Sequence, residues 1–152
     1  MFQSLYHYTN FAQGFDLEYT FPMRLLGIDY GSKRVGIAVS DEAAGFALPF
    51  TVIANTQTLV AEIAEIAEKN QVKEIVMGES KDYKGEANTI MADILKLKEQ
   101  LETKGFVVHL EPEFMTSVQA ERLQGKNAKS DASAAALILQ AYLDKEKPGH
   151  TK

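Results

Sequence analysis

Four acidic residues stand where strands or helices begin or end. Asp29 follows the apolar run RLLGI, Glu79 follows EIVM, Glu113 lies just beyond FVVHL, and Asp131 opens an alanine-rich stretch. Carboxylates brought to one point repel each other, and they must either take up protons or hold a cation. The chain has no cysteine, so an all-oxygen set of this kind suits a hard divalent ion, Mg2+ or Mn2+. Two such ions about 3.5–4 Å apart, bridged by carboxylate, would suit in-line cleavage of a phosphodiester. Each acid also has an ordinary reading. Asp29 before Gly31 is a common turn pattern, Glu79 and Glu113 could be solvated loop residues, and Asp131 could simply meet the positive end of a helix.

Cations lie near these acids in the chain. Lys33 and Arg34 follow Asp29 at once and could meet phosphate oxygens. Arg122 and Lys129 precede Asp131 and could line a substrate groove, together with Lys81, Lys84 and Lys126. A solvated surface is the ordinary reading of such residues. The net charge of −5 argues mildly against a tight nucleic-acid binder, but phosphate affinity follows local patches and a bound metal brings its own positive charge.

Other chemistries have less support. The three histidines, His7, His109 and His150, show no ligand spacing. His109 sits in a strand pattern where packing is the usual role. GxSxG, Walker, GxGxxG and CxxC patterns are absent. No apolar run nears the roughly 20 residues that span a bilayer. The first 22 residues lack Lys and Arg, so they do not read as a secretory signal, and the expected address is the cytoplasm.

The elements that would position these acids are legible from Met23 onward. Residues 24–28 and 36–40 read as two strands of a hairpin, and 46–53 contains a third strand made irregular or placed at an edge by Pro49. A helical period over 58–69 precedes a short buried strand at 74–77. A second helix over 88–104, stopped by Gly105, precedes a strand at 106–110. A short helix at 117–123 and a helix at 130–143, capped by Ser130 and Asp131, complete the order β-β-β-α-β-α-β-α-α. This predicts an α/β fold with a mixed five-stranded sheet and helices on both faces, in which ligands sit outside the carboxyl ends of strands. Residues 1–22, rich in aromatics, read as an extension, 23–144 as the domain and 145–152 as a charged, frayed tail.

Residues 23–41, MRLLGIDYGSKRVGIAVSD, closely resemble the opening of the YqgF family, whose members are described as Holliday-junction resolvases and as pre-16S rRNA nucleases. The resemblance continues in order through 47–50 (ALPF), 75–78 (IVMG), 116–120 (TSVQA) and 131–143 (DASAAALILQAYL), the first and last blocks being the specific ones. It implies an RNase H-like fold and metal-dependent hydrolysis of a nucleic-acid backbone. It matches Asp29 to the family's first-strand aspartate, Asp131 to its final-helix aspartate, and Glu113 to the glutamate of an Asp-Glu-Arg-Leu-Thr-Thr block that reads here PEFMTS. Pro112 and Phe114 replace that block's Asp and Arg, which puts a phosphate-facing cation in doubt. Glu79-Ser80 stands where the family commonly has Leu-Pro. The added acid resembles the fourth-strand glutamate of related resolvases.

The implied partners are structured RNA, by analogy the 5′ end of pre-16S rRNA, or branched DNA. No membrane is expected, and the chain would be a monomer or weak homodimer. Two other classes stay open: a non-catalytic nucleic-acid-binding module, and an actin-like nucleotide-binding domain suggested by GIDYG, for which 152 residues leave room for only one of the usual two domains.

Overall fold

A computed structural model of the chain describes residues 24–80, 89–112 and 128–146. Residues 1–22, the helix expected at 117–123, Glu113, Lys81, Lys84, Arg122 and Lys126 lie outside them, as does the side chain of Lys129.

The elements run β1 (Arg24–Tyr30), β2 (Arg34–Ser40), β3 (Ala47–Ala54), α1 (Leu59–Lys69), β4 (Val72–Gly78), α2 (Thr89–Thr103), β5 (Val107–Glu111) and, after the undescribed stretch, α3 (Ala128–Glu146). The five strands form one sheet in the order β3-β2-β1-β4-β5. β1 pairs antiparallel with β2, and β2 with β3. β1 pairs parallel with β4, and β4 with β5. The mixed five-stranded sheet expected from the sequence is therefore the one observed.

Side chains alternate between the faces of a strand, and here both faces are covered. Leu26, Ile28, Val35, Ile37, Ile75 and Met77 pack beneath α1 and α2, which contribute Ile63, Ala67, Ile94 and Leu101. Leu25, Ala38 and Val76 point the other way, onto Ala135, Ile138, Leu139 and Leu143 of α3. This double coverage explains why β4 reads as an unbroken apolar run. β3 is an edge strand, and a register shift lies opposite Pro49, where the missing N–H costs the ladder least.

Among the boundaries that differ from the sequence expectation, three change the reading of a named residue. β1 continues through Asp29 to Tyr30, because the hairpin stays in register as far as Tyr30 opposite Val35. Asp29 is thus inside the strand and its direction is set by the pleat. α3 starts at Ala128 rather than at a Ser130–Asp131 cap, so Asp131 lies within its first turn; Ala and Lys are good helix formers that extend it backward. α3 also runs through Lys145 and Glu146, which were expected in a frayed tail. Lys145 is held by Glu111, 2.6 Å from Nζ, a carboxylate almost wholly buried at the end of β5.

Near the same end of α3, Tyr142 stacks on His109 with ring centroids 5.0 Å apart, and His109 Nε2 lies 3.2 Å from Glu74 Oε1. His109 is thus a packed strand residue, as its setting suggested. Burial, reinforced by the charges of Glu146, Glu74 and Glu111, pushes the Tyr142 phenol up to about 12. An unfolded tyrosine ionises near 10. The folded chain therefore keeps this proton where the unfolded chain loses it, and the resulting stability is present below pH 10 and lost as pH rises toward 12. In alkaline denaturation followed by circular dichroism, Tyr142→Phe is expected to flatten the fall in stability over that window; an unchanged profile would remove Tyr142 as its source.

Candidate metal centre at the carboxyl edge of the sheet

Asp29 shares its face with Leu25 and Gly27, the residues of β1 that turn toward α3. Its partner across the antiparallel ladder is Gly36, and directly opposed residues hold their Cα atoms about 4.5–5.5 Å apart on one face. What covers Gly36 is the backbone of Asp131: a Cβ built on Gly36 would run into the Asp131 carbonyl oxygen. Gly27 is a second close seat, where a Cβ would lie 2.8 Å from the Ala135 carbonyl oxygen and 2.8 Å from Leu139 Cβ. With two strand positions bare, the first turn of α3 settles onto the sheet, and Asp131 comes down over Gly36, the ladder partner of Asp29. The two acids, 102 residues apart in number (131 minus 29), thus belong to one face at the carboxyl end of β1, Asp29 in the strand and Asp131 over its ladder partner Gly36.

The side chain of Asp131 is mostly buried, and its Oδ2 lies 3.0 Å from Arg34 Nε. The approach is an ion contact rather than an aligned hydrogen bond, for Oδ2 accepts none. A buried carboxylate oxygen with capacity left over, on the residue that lies over the ladder partner of Asp29, in a chain without cysteine thiolates, fits a hard divalent cation. Arg34, read from the sequence as a phosphate contact, thus lies against a candidate ligand. It is on the α3 face by the same alternation that puts Gly36 there. Lys33 is exposed at the hairpin tip.

Glu79 stands at the same edge. The register that sets Ile28 beside Met77 brings Gly78 level with Asp29, and Glu79 follows, its N–H donating to the Glu111 carbonyl at 2.8 Å. Ile75 and Met77 face α1 and α2, so Glu79 reaches the α3 face only where the chain leaves the pleat after Gly78. Among the described residues, no group of three His, Cys, Asp or Glu is gathered as a metal cage. The described candidates for such a centre are Asp29 and Asp131.

Sequence reasoning missed one supporting residue. The Asn55 side-chain amide donates to the Gly31 carbonyl at 2.8 Å and its N–H to the Lys33 carbonyl at 2.9 Å, clamping the hairpin tip that carries Lys33 and Arg34. Asn just after a β-strand has no distinctive sequence signal.

The family profile described as "RuvX: Holliday junction resolvase" matches residues 23–145. The chain belongs to the RuvX family. The sequence resemblance had pointed to this family. A relative from Caldanaerobacter subterraneus, named "Putative pre-16S rRNA nuclease", is 35% identical over 137 residues, covering 82% of this chain and 99% of that protein. A relative of the same name from Maridesulfovibrio salexigens is 33% identical, covering 80% and 98%. Among solved structures, Thermus thermophilus RuvC in complex with a Holliday junction substrate superposes with a TM-score of 0.54 over 81% of this chain and 94% of that one, at 14% identity. That likeness carries the fold, which is the RNase H-like architecture of RuvC. Among the described residues, no helix is long and apolar enough to cross a membrane.

Proposed function

We propose that this RuvX-family chain is a metal-dependent endonuclease that hydrolyses nucleic-acid phosphodiester bonds, acting on the 5′ end of pre-16S rRNA. The observation that carries the chemistry is the seating of Asp131 over Gly36, opposite Asp29. The relatives' names support the substrate. Asp29 and Asp131 would hold a Mg2+ or Mn2+ ion, and Glu79 and Glu113 would complete the oxygen set. Bound there, the ion supplies Lewis-acid stabilisation of the charge that develops on the phosphoryl oxygens. The chain's own part is geometric. β1 and α3 fix two carboxylates before substrate arrives, and rigid ligands spare the reorganisation that loop-borne ligands would need. Lys33, Arg34, Arg122 and Lys129 meet backbone phosphates. The chain works in the cytoplasm as a monomer or weak homodimer.

A four-way DNA junction is the second substrate worth testing, because the family description and the RuvC fold both favour it. Resolution of a junction requires two symmetric cuts, and hence a dimer. The test is cleavage of a labelled rRNA precursor and of a four-way junction in Mn2+, with gel filtration under the same conditions. Cleavage at the precursor's 5′ side by a monomer supports the RNA reading; paired junction cuts by a dimer replace it. Asp131→Asn must be inactive on either substrate, since equal activity would point to a contaminating nuclease.

Glu79 has its own test. If it is a ligand, Glu79→Gln should weaken Mn2+ binding about 10-fold or more, the range seen when a group supporting a metal is lost. Unchanged Mn2+ binding and cleavage would remove it from the centre.

A further inference from the structure

The contact between Arg34 and Asp131 needs a reason. The guanidinium is nearly half exposed, and ion pairs of that kind contribute little to stability. Its geometry is also poor: Nε is 3.0 Å from Oδ2, yet that oxygen accepts no aligned hydrogen bond. A guanidinium held for structure would take the paired, planar arrangement it forms well with a carboxylate. Here it sits loosely on a buried side-chain oxygen of the residue whose main chain covers Gly36, the ladder partner of Asp29. The side chain springs from the first residue of β2, beside a hairpin tip clamped by Asn55, and it has solvent on its other side.

We propose that Arg34 is a positioning residue with two alternative anionic partners. It neutralises the Asp131 carboxylate, and it is released toward a substrate phosphate when that carboxylate takes up a divalent cation. The inference rests on the reading of Asp131 as a metal ligand. One positive group and one divalent cation cannot both lie against the same carboxylate oxygen without mutual repulsion. Loading of the centre and recruitment of the phosphate are then coupled through a single side chain. By linkage, metal should strengthen nucleic-acid binding more when Arg34 is present than when it is absent.

Two measurements on the full chain test this, neither depending on cleavage. The first is Mn2+ affinity, from the paramagnetic resonance signal of free Mn2+. Arg34→Gln is expected to bind Mn2+ about three- to tenfold more tightly than wild type, because the competing charge is gone. Arg34→Lys keeps a competing cation and should stay near wild type. The second is binding of a labelled RNA hairpin with and without Ca2+. The gain in affinity from Ca2+ should be larger for wild type than for Arg34→Gln. Equal or weaker Mn2+ binding by Arg34→Gln overturns the proposal, since it would mean that Arg34 only braces Asp131 or does nothing there. An equal Ca2+ gain in both proteins overturns it as well. Asp131→Asn that binds Mn2+ like wild type is a different failure, because it removes the metal reading itself.

Discussion

Asp29→Asn is expected to lower Mn2+-dependent cleavage by at least about 100-fold while leaving the fold intact. The change keeps the size and planarity of the side chain and removes one negative charge from the sheet edge. Asp29 is only half-buried at the end of β1, so its replacement disturbs no packed cluster. What is lost is half of the proposed ligand pair. Stabilisation of phosphoryl charge by a bound metal is worth several kcal/mol. A loss of about 3 kcal/mol corresponds to roughly a hundredfold in rate. Single-turnover cleavage with excess enzyme measures this directly, and Mn2+ titration of the same variant should show weakened binding. Retention of full activity together with full Mn2+ affinity would separate Asp29 from the chemistry and leave its conformation at Gly36 as a structural matter.

The second large effect lies at a residue that carries no chemistry. Gly36→Ala should destabilise the chain by about 1–3 kcal/mol, the range for overpacking a close-fitted contact. For a chain of this size that is a fall of roughly 2–12 degrees in melting temperature. The added methyl group meets main chain at the Asp131 carbonyl, and backbone in the first turn of a helix cannot rotate aside as a side chain can. α3 must lift, and Asp131 lifts with it. The variant should therefore lose Mn2+ affinity even under conditions where it is fully folded. Gly45→Ala is the matched control, for the nearest atom to a Cβ there is Asp41 Oδ1, 4.0 Å away. Thermal denaturation and Mn2+ titration of the two variants side by side give the answer. If Gly36→Ala keeps both its stability and its metal affinity, the seat of α3 is not what positions Asp131.

These two predictions differ in how visible their residues were. Asp29 was conspicuous in the sequence, because an acid at the end of an apolar run and ahead of a glycine is a local pattern. Gly36 was read only as part of the strand GIAVS. Its function depends on the backbone of a helix nearly a hundred residues away, and no local pattern encodes that distance. The alanine- and serine-rich stretch from Asp131 to Ala136 was the half of the contact that could be read. Small side chains let a helix lie close to a sheet, but they do not say which strand it lies on.

The order of the described elements, the mixed sheet and the family were set by features local in the chain: hydrophobic period, turn residues, and short blocks of sequence. Strand and helix periods survive in a sequence because each residue's burial depends on its immediate neighbours. Tertiary structure decided the rest. It brought Asp131 over Gly36, turned Arg34 onto Asp131, drew Lys145 out of an apparent tail onto the buried Glu111, and set Glu79 at the right edge but in line with the opposite face. Each of these depends on where α3 crosses the sheet or on the parity of a strand residue at its last position. Crossing point and parity are properties of packed pairs of elements, and a single run of residues does not contain them.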